Sequence, residues 1–250
     1  MIDFFDLMYK HSKMSSNNDL FTSKANVLKY LQSTIKKSKI EKIYDFTVSN
    51  WQYNKIHILN HISKNFNSKI VVRSSAFGED SISNSQAGKY DTILNVNSQN
   101  TKQVKQAIET VIKSYKLKGK KFNKNQILIQ NQAKNVKTNG VLFTKTADLG
   151  SPYFVIDYDD SDSTDSVTKG LASNTIRIFK NTTKQKIPNK WKKLLNAAEE
   201  IEAISNLDSL DIEFAITKNN QIIIFQVRPI TTIKKSVPNN LLPTLSKLIQ

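Results

Sequence analysis

The order in which two hydrophobic periods follow each other along the chain is its strongest constraint on the fold. In the first half, apolar residues recur at three- and four-residue steps, as at Val27, Leu28 and Leu31, which predicts amphipathic helices. Short segments typical of strands dominate the second half and end in two strands at 211–216 and 221–227. Helices first and mixed strands later predict an α+β fold with a largely antiparallel second half.

Periodicity also predicts where the individual elements lie. Helices are predicted from Lys24 to about residue 35, over 51–66, around 104–115 and over 189–205. Strands are predicted at 69–73, 127–130, 140–144, 153–158 and 175–179, besides the last two. Residues 74–92 are mostly small or polar and predict a long loop, a kind of segment that often carries function.

Composition limits the classes of function. The chain has no cysteine, which excludes disulfides, thiolate metal sites and a cysteine nucleophile. It has no apolar run long enough to span a membrane and no signal-peptide layout, so we predict a cytoplasmic protein without a membrane partner. The formal net charge is +16, but only Arg73, Arg177 and Arg228 among the 37 basic residues are arginines. Nucleic-acid binders favour arginine, so solvated lysine surfaces are preferred here over a polyanion-binding surface, although charge alone leaves both open.

The last two strands can be paired residue by residue. If residues 219–220 form a two-residue turn, Glu213 lies opposite Gln226 and Asp211 lies opposite Arg228. Carboxylate and amide oxygens suit Mg²⁺, and the guanidinium fork suits phosphate. The alternative is a solvated face with an Asp–Arg pair of little energetic value. The opposite, buried face is predicted to hold Ile212, Phe214, Ile216, Ile223, Phe225 and Val227.

Three segments resemble the signature of a known family. They are VVRSSAFGEDSISNSQAGKYDTILNV at 71–96, GVLFT at 140–144 and LDIEFAITKNNQIIIFQVRPITT at 210–232. In this order they are similar to the N-terminal nucleotide-binding domain of phosphoenolpyruvate synthase and pyruvate phosphate dikinase. The resemblance implies an ATP-grasp fold, in which two α+β lobes hold the nucleotide between them. It predicts this domain over 1–232 and a linker over 233–250.

For the hairpin and the strand before the long loop, the resemblance implies the following roles. Glu213 and Gln226 would bind Mg²⁺, and Asp211 would support them as part of the nucleotide site. Arg228 would hold the terminal phosphate, and Arg73 would contact the triphosphate. Both arginines would stabilise charge during phosphoryl transfer, a reaction that depends on positioning and on cations.

Further nucleotide contacts are implied near the first helix and in the middle of the chain. Lys24 matches a phosphate-contacting lysine of the family, although Thr22-Ser23 replaces the Gly-Gly that precedes it there. Backbone groups of Gln130, Asn131 and Gln132 would contact adenine. The implied cofactors are therefore ATP and Mg²⁺.

A glycine-rich segment of the family is absent, and residues 153–170 occupy its place. Asp165, Thr168 and Lys169 are candidates for ribose and phosphate contacts in that segment. A plain acidic turn is the open alternative.

Family members complete catalysis with a phosphorylated histidine on a separate domain, and this motif is absent. None of His11, His57 and His61 has the required sequence context; the last two are one helical turn apart, which favours a helix-face pair over a metal site. The implied partners are a phosphohistidine-bearing domain, an acceptor-binding domain and a small-molecule acceptor. They would belong to a longer chain or a separate protein, and the proline-containing tail after Thr232 favours a fragment ending in a linker.

Within the family, the loop at 157–170 and the compact N-terminus look most like L-glutamine kinase of capsular phosphoramidate biosynthesis. That resemblance implies conversion of ATP to AMP and phosphate, with a phosphoryl group relayed through histidine to the amide nitrogen of glutamine. Pyruvate, phosphoenolpyruvate or rifampin phosphotransferases are alternatives. A non-catalytic nucleotide-binding regulatory module and a lysine-rich nucleic-acid binder are rivals outside these enzymes.

Overall fold

The computed structural model of the chain describes residues 20–77, 80–81, 84–85, 91–118, 122–160, 174–183 and 185–231. Its helices are α1 (Lys24–Thr34), α2 (Val48–Asn65), α3 (Thr101–Lys118) and α4 (Asn189–Ser205). Its strands are β1 (Ile43–Thr47), β2 (Lys69–Ser75), β3 (Asp80–Ser81), β4 (Asn84–Ser85), β5 (Thr92–Asn97), β6 (Gln126–Asn131), β7 (Val136–Phe143), β8 (Tyr153–Asp159), β9 (Asn174–Phe179), β10 (Leu210–Thr217) and β11 (Ile222–Pro229). Within these ranges, no helix is both long and apolar enough to cross a membrane.

The first lobe is a four-stranded antiparallel sheet in the order β1-β6-β2-β5. Helices α2 and α3 cover one face of this sheet, where Ile70 and Val72 of β2 join Ile127 and Ile129 of β6 in a buried core. Because side chains alternate along a strand, the remaining residues of β2 and β6 lie on the opposite face. That opposite face is turned towards the rest of the chain.

The second lobe is a five-stranded antiparallel sheet in the order β11-β10-β7-β8-β9. Its core includes apolar residues of α4 and of α1, such as Trp191 and Leu28. Gly140 in β7 allows a close approach to β8, because a Cβ atom at this position would lie 2.2 Å from the carbonyl oxygen of Asp157. This contact explains why a glycine opens the GVLFT segment.

Helix α1 and the segment after it join the second lobe. The backbone N–H of Lys39 donates to the carbonyl oxygen of Ile222, and the N–H of Ile224 donates to the carbonyl oxygen of Lys39, both at 2.9 Å. This bridge is parallel and covers the outer edge of β11. The helix that carries Lys24 is therefore fixed to the same lobe as the hairpin.

The predicted helices and longer strands are found close to their expected positions, and the second-lobe sheet confirms the antiparallel prediction. Strands β1 and β5 were not predicted. Both are short, and each has only one buried residue, so their apolar signal is weak. The predicted loop at 74–92 includes the short β3–β4 pair, and the rest of it largely lies outside the described residues.

The hairpin turn differs from the predicted one. Thr217 faces Gln221, because the Thr217 N–H donates to the Gln221 carbonyl oxygen at 3.0 Å, so the loop has three residues. Asn220 adopts a positive φ of 56°, as expected for the last residue of such a loop. A bulge at Phe225 then restores the predicted pairing for the rest of the hairpin.

The loop length also corrects the predicted buried face. The residues that share the core face with Phe214 are Ile212, Ile216, Ile222, Ile224 and Val227. Ile223 and Phe225 were placed there by the sequence but lie on the other face, near Ala215. The cause is the one-residue offset between the turn and the bulge.

Candidate functional site

The hairpin brings together the four polar residues that the sequence paired. Glu213 lies opposite Gln226, and Asp211 lies opposite Arg228. The three-residue loop shifts the register by one residue, and the bulge at Phe225 shifts it back before these pairs are reached. The predicted grouping is therefore confirmed, although the turn was wrong.

Arg73 extends from β2 of the first lobe to this hairpin. Its Nη2 donates to Oε2 of Glu213 at 2.8 Å and to Oε1 of Gln226 at 3.3 Å. Its Nη1 donates to the carbonyl oxygen of Phe225 at 3.0 Å. The Arg73 side chain is 8% exposed and that of Glu213 is 25% exposed, so the ion pair is largely shielded from water. Arg73 therefore donates hydrogen bonds to both residues that were expected to bind Mg²⁺.

The electrostatic surroundings keep Glu213 ionised. Burial of its carboxyl group raises the pKa. The nearby charges of Arg73, Lys24 and Arg228 and the hydrogen bond from Arg73 lower the pKa by more than burial raises it. The net result is a pKa below the ordinary value for glutamate. A carboxylate that stays charged at neutral pH is a suitable ligand for a divalent cation.

Arg228 is held by Asp211 across the same hairpin. Its Nε and Nη2 donate to Oδ2 of Asp211 at 2.7 Å and 2.5 Å. Both side chains are mostly buried, so the pair has a fixed geometry rather than the loose one of a surface pair. Asp211 therefore orients the Arg228 guanidinium, in keeping with a supporting position.

Lys24 is the first residue of α1 and is almost fully buried. Ser23 caps the helix, since its Oγ accepts a hydrogen bond from the Asn26 N–H at 3.3 Å. The charge of Lys24 contributes to the lowered pKa of Glu213, which places the lysine in the same cluster. The serine that replaces a family glycine thus has a structural role at this helix start.

Gln126 is a positioning residue that the sequence reasoning missed. Its Oε1 accepts from the Ser23 hydroxyl at 2.6 Å, and its Nε2 donates to Oδ2 of Asp45 at 2.9 Å. Its carbonyl oxygen accepts from the Tyr115 hydroxyl at 2.6 Å. These bonds connect the start of α1 to the first-lobe sheet. A glutamine at the edge of the apolar run ILI was the available signal.

The residues expected to contact adenine lie at the end of β6. The side chain of Gln130 is 2% exposed, and neither its Nε2 nor the Oδ1 of Asn131 has a hydrogen-bond partner among the described residues. Gln132 is already engaged, because its carboxamide exchanges hydrogen bonds with Asn95. The backbone N–H groups of Asn131 and Gln132 also donate within the first lobe. At the end of β6, side-chain atoms of Gln130 and Asn131 are therefore available to a ligand, whereas the backbone N–H groups of Asn131 and Gln132 are already used.

A small cavity connects these groups across the lobes. Its volume is about 50 Å³. Its walls are formed by Val71, Arg73, Thr92, Leu94, Gln130, Asn131, Gln132, Ala133, Glu213 and Phe225. Two of the lining residues carry a buried donor, Nε of Arg73 and Nε2 of Gln130, that has no partner in the described part of the chain. Buried polar groups are normally hydrogen-bonded, so these two indicate a ligand with acceptor atoms.

The residues present fit a magnesium ion that is shared with a ligand. Glu213 and Gln226 offer one carboxylate and one carboxamide, and Mg²⁺ usually takes one or two protein ligands together with phosphates and water. Across the described ranges, no group of three or more His, Cys, Asp or Glu residues could hold a metal by itself. A metal at this site would therefore depend on oxygen atoms from the ligand.

The remaining candidates lie elsewhere. Asp165, Thr168 and Lys169 are outside the described residues. His61 stacks on Tyr44 with ring centroids 4.1 Å apart. Burial, His57 and Lys42 together lower its pKa. This packing agrees with the helix-face interpretation of the histidine pair.

Comparison with known families supports the nucleotide-binding interpretation for part of the chain. Residues 17–119 match a family model described as "Pyruvate phosphate dikinase, AMP/ATP-binding domain". The match includes Lys24 and Arg73 and ends before β6, so it covers less than half of the chain. A comparison with curated protein sequences gives no match.

Solved structures with a similar fold were also found. Carboxyaminoimidazole ribonucleotide synthase from Aspergillus clavatus, in complex with ATP, has a TM-score of 0.50 and 11% identity over 95% of this chain and 52% of that chain. VanG D-Ala:D-Ser ligase from Enterococcus faecalis has a TM-score of 0.49 and 10% identity over 86% and 55%. D-alanyl-alanine synthetase A from Vibrio cholerae has a TM-score of 0.48 and 14% identity over 92% and 60%.

The chain spans little more than half the length of these solved structures. At such identities the likeness concerns the fold alone. The chain has the ATP-grasp fold, as the sequence resemblance implied.

Proposed function

We propose that this chain is the Mg-ATP-binding domain of a dikinase-type phosphotransferase. The observation that carries the proposal is the cluster of Arg73, Lys24, Glu213 and Gln226, in which Arg73 and Glu213 line the interlobe cavity and the Nε of Arg73 has no partner among the described residues. Cations beside a carboxylate and a carboxamide suit a triphosphate that carries a divalent metal. The family match over residues 17–119 and the ATP-grasp fold support it.

The proposed roles follow from the positions of the side chains. Lys24 and Arg73 would donate hydrogen bonds to phosphate oxygens, and Arg228, oriented by Asp211, would stabilise negative charge on the terminal phosphate. Glu213 and Gln226 would hold Mg²⁺, which neutralises phosphate charge when it is bound. Phosphoryl transfer needs little covalent chemistry from the protein, so positioned cations are a sufficient set of groups.

For the base, we propose a position between the end of β6 and the apolar cavity wall. The unpartnered Nε2 of Gln130 and Oδ1 of Asn131 offer one donor and one acceptor. Adenine presents a matching pair in its exocyclic amino group and a neighbouring ring nitrogen. Val71 and Leu94 would contact the face of the ring.

The finer assignment concerns the partners of this domain. We propose that a histidine on another domain takes the phosphoryl group and passes it to an acceptor, with the amide nitrogen of L-glutamine as first choice and AMP and phosphate as products. The support is the sequence resemblance at 157–170, much of which lies outside the described residues. The cytoplasmic location stays a prediction.

Calorimetric titration with a non-hydrolysable ATP analogue, with and without Mg²⁺, tests the binding function. We expect Mg²⁺-dependent binding that weakens at least about tenfold in Glu213→Gln, since one lost charged contact is worth about 1.5–3 kcal/mol. Asp208→Asn is the matched control, because the Asp208 side chain is 73% exposed and lies outside the cleft. No binding to the wild type, or an equal loss in both variants, would contradict the proposal.

Two further measurements separate the rival functions. A mixed oligonucleotide that binds with a steep salt dependence, regardless of Mg²⁺, would favour a nucleic-acid binder. For the dikinase-type function, labelled ATP is supplied together with the histidine-bearing and acceptor-binding domains and L-glutamine. Release of AMP and phosphate that requires glutamine supports the full proposal, whereas binding without turnover would indicate a regulatory module.

A further inference from the structure

We propose that Arg73 makes divalent-cation binding at Glu213 and Gln226 conditional on the presence of a triphosphate. This inference rests on the proposed function, because it assumes that the two hairpin residues are the metal ligands. It adds an order of binding: the nucleotide, or its metal complex, enters first, and the free cation does not bind alone. Arg73 would then be a specificity-determining residue as well as a phosphate contact.

The guanidinium of Arg73 contacts both residues that would hold the metal. A single nitrogen, Nη2, is 2.8 Å from Oε2 of Glu213 and 3.3 Å from Oε1 of Gln226, so it lies between the two oxygen ligands. A second cation that approached both of these oxygens would be repelled by the positive charge of the guanidinium. The carboxylate is compensated by Arg73 in a mostly buried pair, which lowers its attraction for another positive charge.

A free metal ion would have to displace Arg73 without replacing its partner. The guanidinium would then be a buried charge without a carboxylate, which is strongly unfavourable. A triphosphate changes this balance, since its oxygens can accept from the guanidinium fork. It would also satisfy the Nε of Arg73, which has no partner among the described residues. Arg73 can therefore move from the carboxylate to the phosphate, and Glu213 becomes available to the metal.

The second arginine of the hairpin shows a different arrangement. Both Nε and Nη2 of Arg228 donate to the same oxygen of Asp211, and neither contact involves Glu213 or Gln226. Arg228 thus has its own carboxylate in Asp211, whereas Arg73 donates to both proposed metal ligands. The conditional behaviour is assigned to Arg73 alone.

Titration with Mn²⁺, followed by water-proton relaxation enhancement, tests the inference because the signal distinguishes protein-bound Mn²⁺ from Mn²⁺ held by free nucleotide. Without nucleotide, we expect Arg73→Met to bind Mn²⁺ at least about tenfold more tightly than the wild type, since a competing cation is removed. Glu213→Gln introduced into Arg73→Met should abolish this gain. Arg177→Met is the matched control, as it removes an exposed arginine of the second lobe.

With a non-hydrolysable ATP analogue, the wild type should bind Mn²⁺ tightly and Arg73→Met should bind the analogue more weakly. Nucleotide-dependent Mn²⁺ binding with no gain in Arg73→Met would overturn the conditional role and leave the proposed function standing. An equal gain in Mn²⁺ affinity in Arg177→Met would show that the gain comes only from the change in net charge. That result would also overturn the conditional role of Arg73. No Mn²⁺ binding to the wild type even with nucleotide would contradict the proposed function itself.

The wild type provides a second test that does not depend on the folding of a variant. The amount of Mn²⁺ bound to the protein should rise in proportion to the amount of bound ATP analogue. Tight Mn²⁺ binding at Glu213 in the absence of nucleotide, lost in Glu213→Gln, would contradict the order of binding.

Discussion

The charged residues in the cleft form two ion pairs, and the two pairs have different roles. Arg73 bonds across the lobes to Glu213, whereas Arg228 bonds within the hairpin to Asp211. The first pair can be exchanged for contacts with a ligand, because the Nε of Arg73 still lacks a partner in the described residues. In the second pair, Nε and Nη2 of Arg228 both donate to the same oxygen of Asp211, which orients the arginine.

The lowered pKa of Glu213 predicts a pH dependence of stability. A group whose folded-state pKa is depressed adds stability above its unfolded pKa and loses it as the pH falls through the folded value. The difference in free energy of unfolding between the wild type and Glu213→Gln should therefore shrink as the pH falls below about 4.3, the ordinary glutamate pKa. Urea unfolding of both proteins near neutral pH and in acid measures it. A difference that grows in acid would mean that burial, which raises the pKa, prevails over the neighbouring cations.

The Arg228–Asp211 pair predicts a large effect of removing one partner. Arg228→Met should lower the free energy of unfolding by about 3–5 kcal/mol, because the buried carboxylate of Asp211 loses its ion pair with the guanidinium. The double variant Arg228→Met with Asp211→Asn should recover part of this loss, since the buried carboxylate charge is gone. Urea unfolding of the two variants and the wild type checks this, and a double variant no more stable than the single one would contradict it.

Among the elements, the hairpin shows what local sequence can and cannot predict. The alternation along β10 and β11 was sufficient to place Glu213 opposite Gln226. It was not sufficient for the turn, because Asn219-Asn220 is compatible with a two- or a three-residue loop and a bulge leaves little signal in a strand of isoleucines. The wrong turn length and the missed bulge cancel at the polar residues, so their pairing was predicted correctly. The apolar residues between the turn and the bulge were assigned to the wrong face.

The corrected faces predict different outcomes for two phenylalanines of the same hairpin. Phe214 is fully buried in the second-lobe core, so Phe214→Ala should lower the free energy of unfolding by about 3–5 kcal/mol. Phe225 is only partly buried at the cavity, so Phe225→Ala should cost about 1–2 kcal/mol and should weaken nucleotide binding instead. Chemical denaturation and nucleotide titration of both variants measure this. Equal losses of stability in the two variants would contradict the bulge, which places Phe214 and Phe225 on opposite faces of the hairpin.

For the whole molecule, the decisive contacts join residues far apart in the chain. Arg73 and Glu213 are separated by 140 positions, and Ser23 and Gln126 by 103. No periodicity can predict such pairs, so the family resemblance alone suggested that Arg73 and the hairpin share a site, and the polar residue at the edge of the apolar run ILI did not reveal which residues Gln126 contacts. The interlobe cavity could not be predicted either, because it depends on how the two lobes meet at Arg73.

The small interlobe cavity predicts a change of lobe arrangement when the nucleotide binds. Its volume is about 50 Å³. Pockets for ligands of nucleotide size usually have about 300–1,000 Å³, so the lobes must separate and re-close around the ligand. The chain has no cysteine, so spin labels can be attached at Lys105→Cys on α3 and Lys193→Cys on α4, both exposed. We expect the analogue with Mg²⁺ to change the distance between these labels by about 2 Å or more.

The control for this measurement is a pair of labels within one lobe. Lys64→Cys on α2 and Lys105→Cys on α3 both belong to the first lobe and are exposed, so their separation should remain constant. Arg73→Met with the interlobe labels should give a broader distance distribution without ligand, because the contact that joins β2 to the hairpin is lost. An interlobe distance that is unchanged by saturating nucleotide would mean that the ligand does not enter the cavity, and the nucleotide would have to bind elsewhere on the chain.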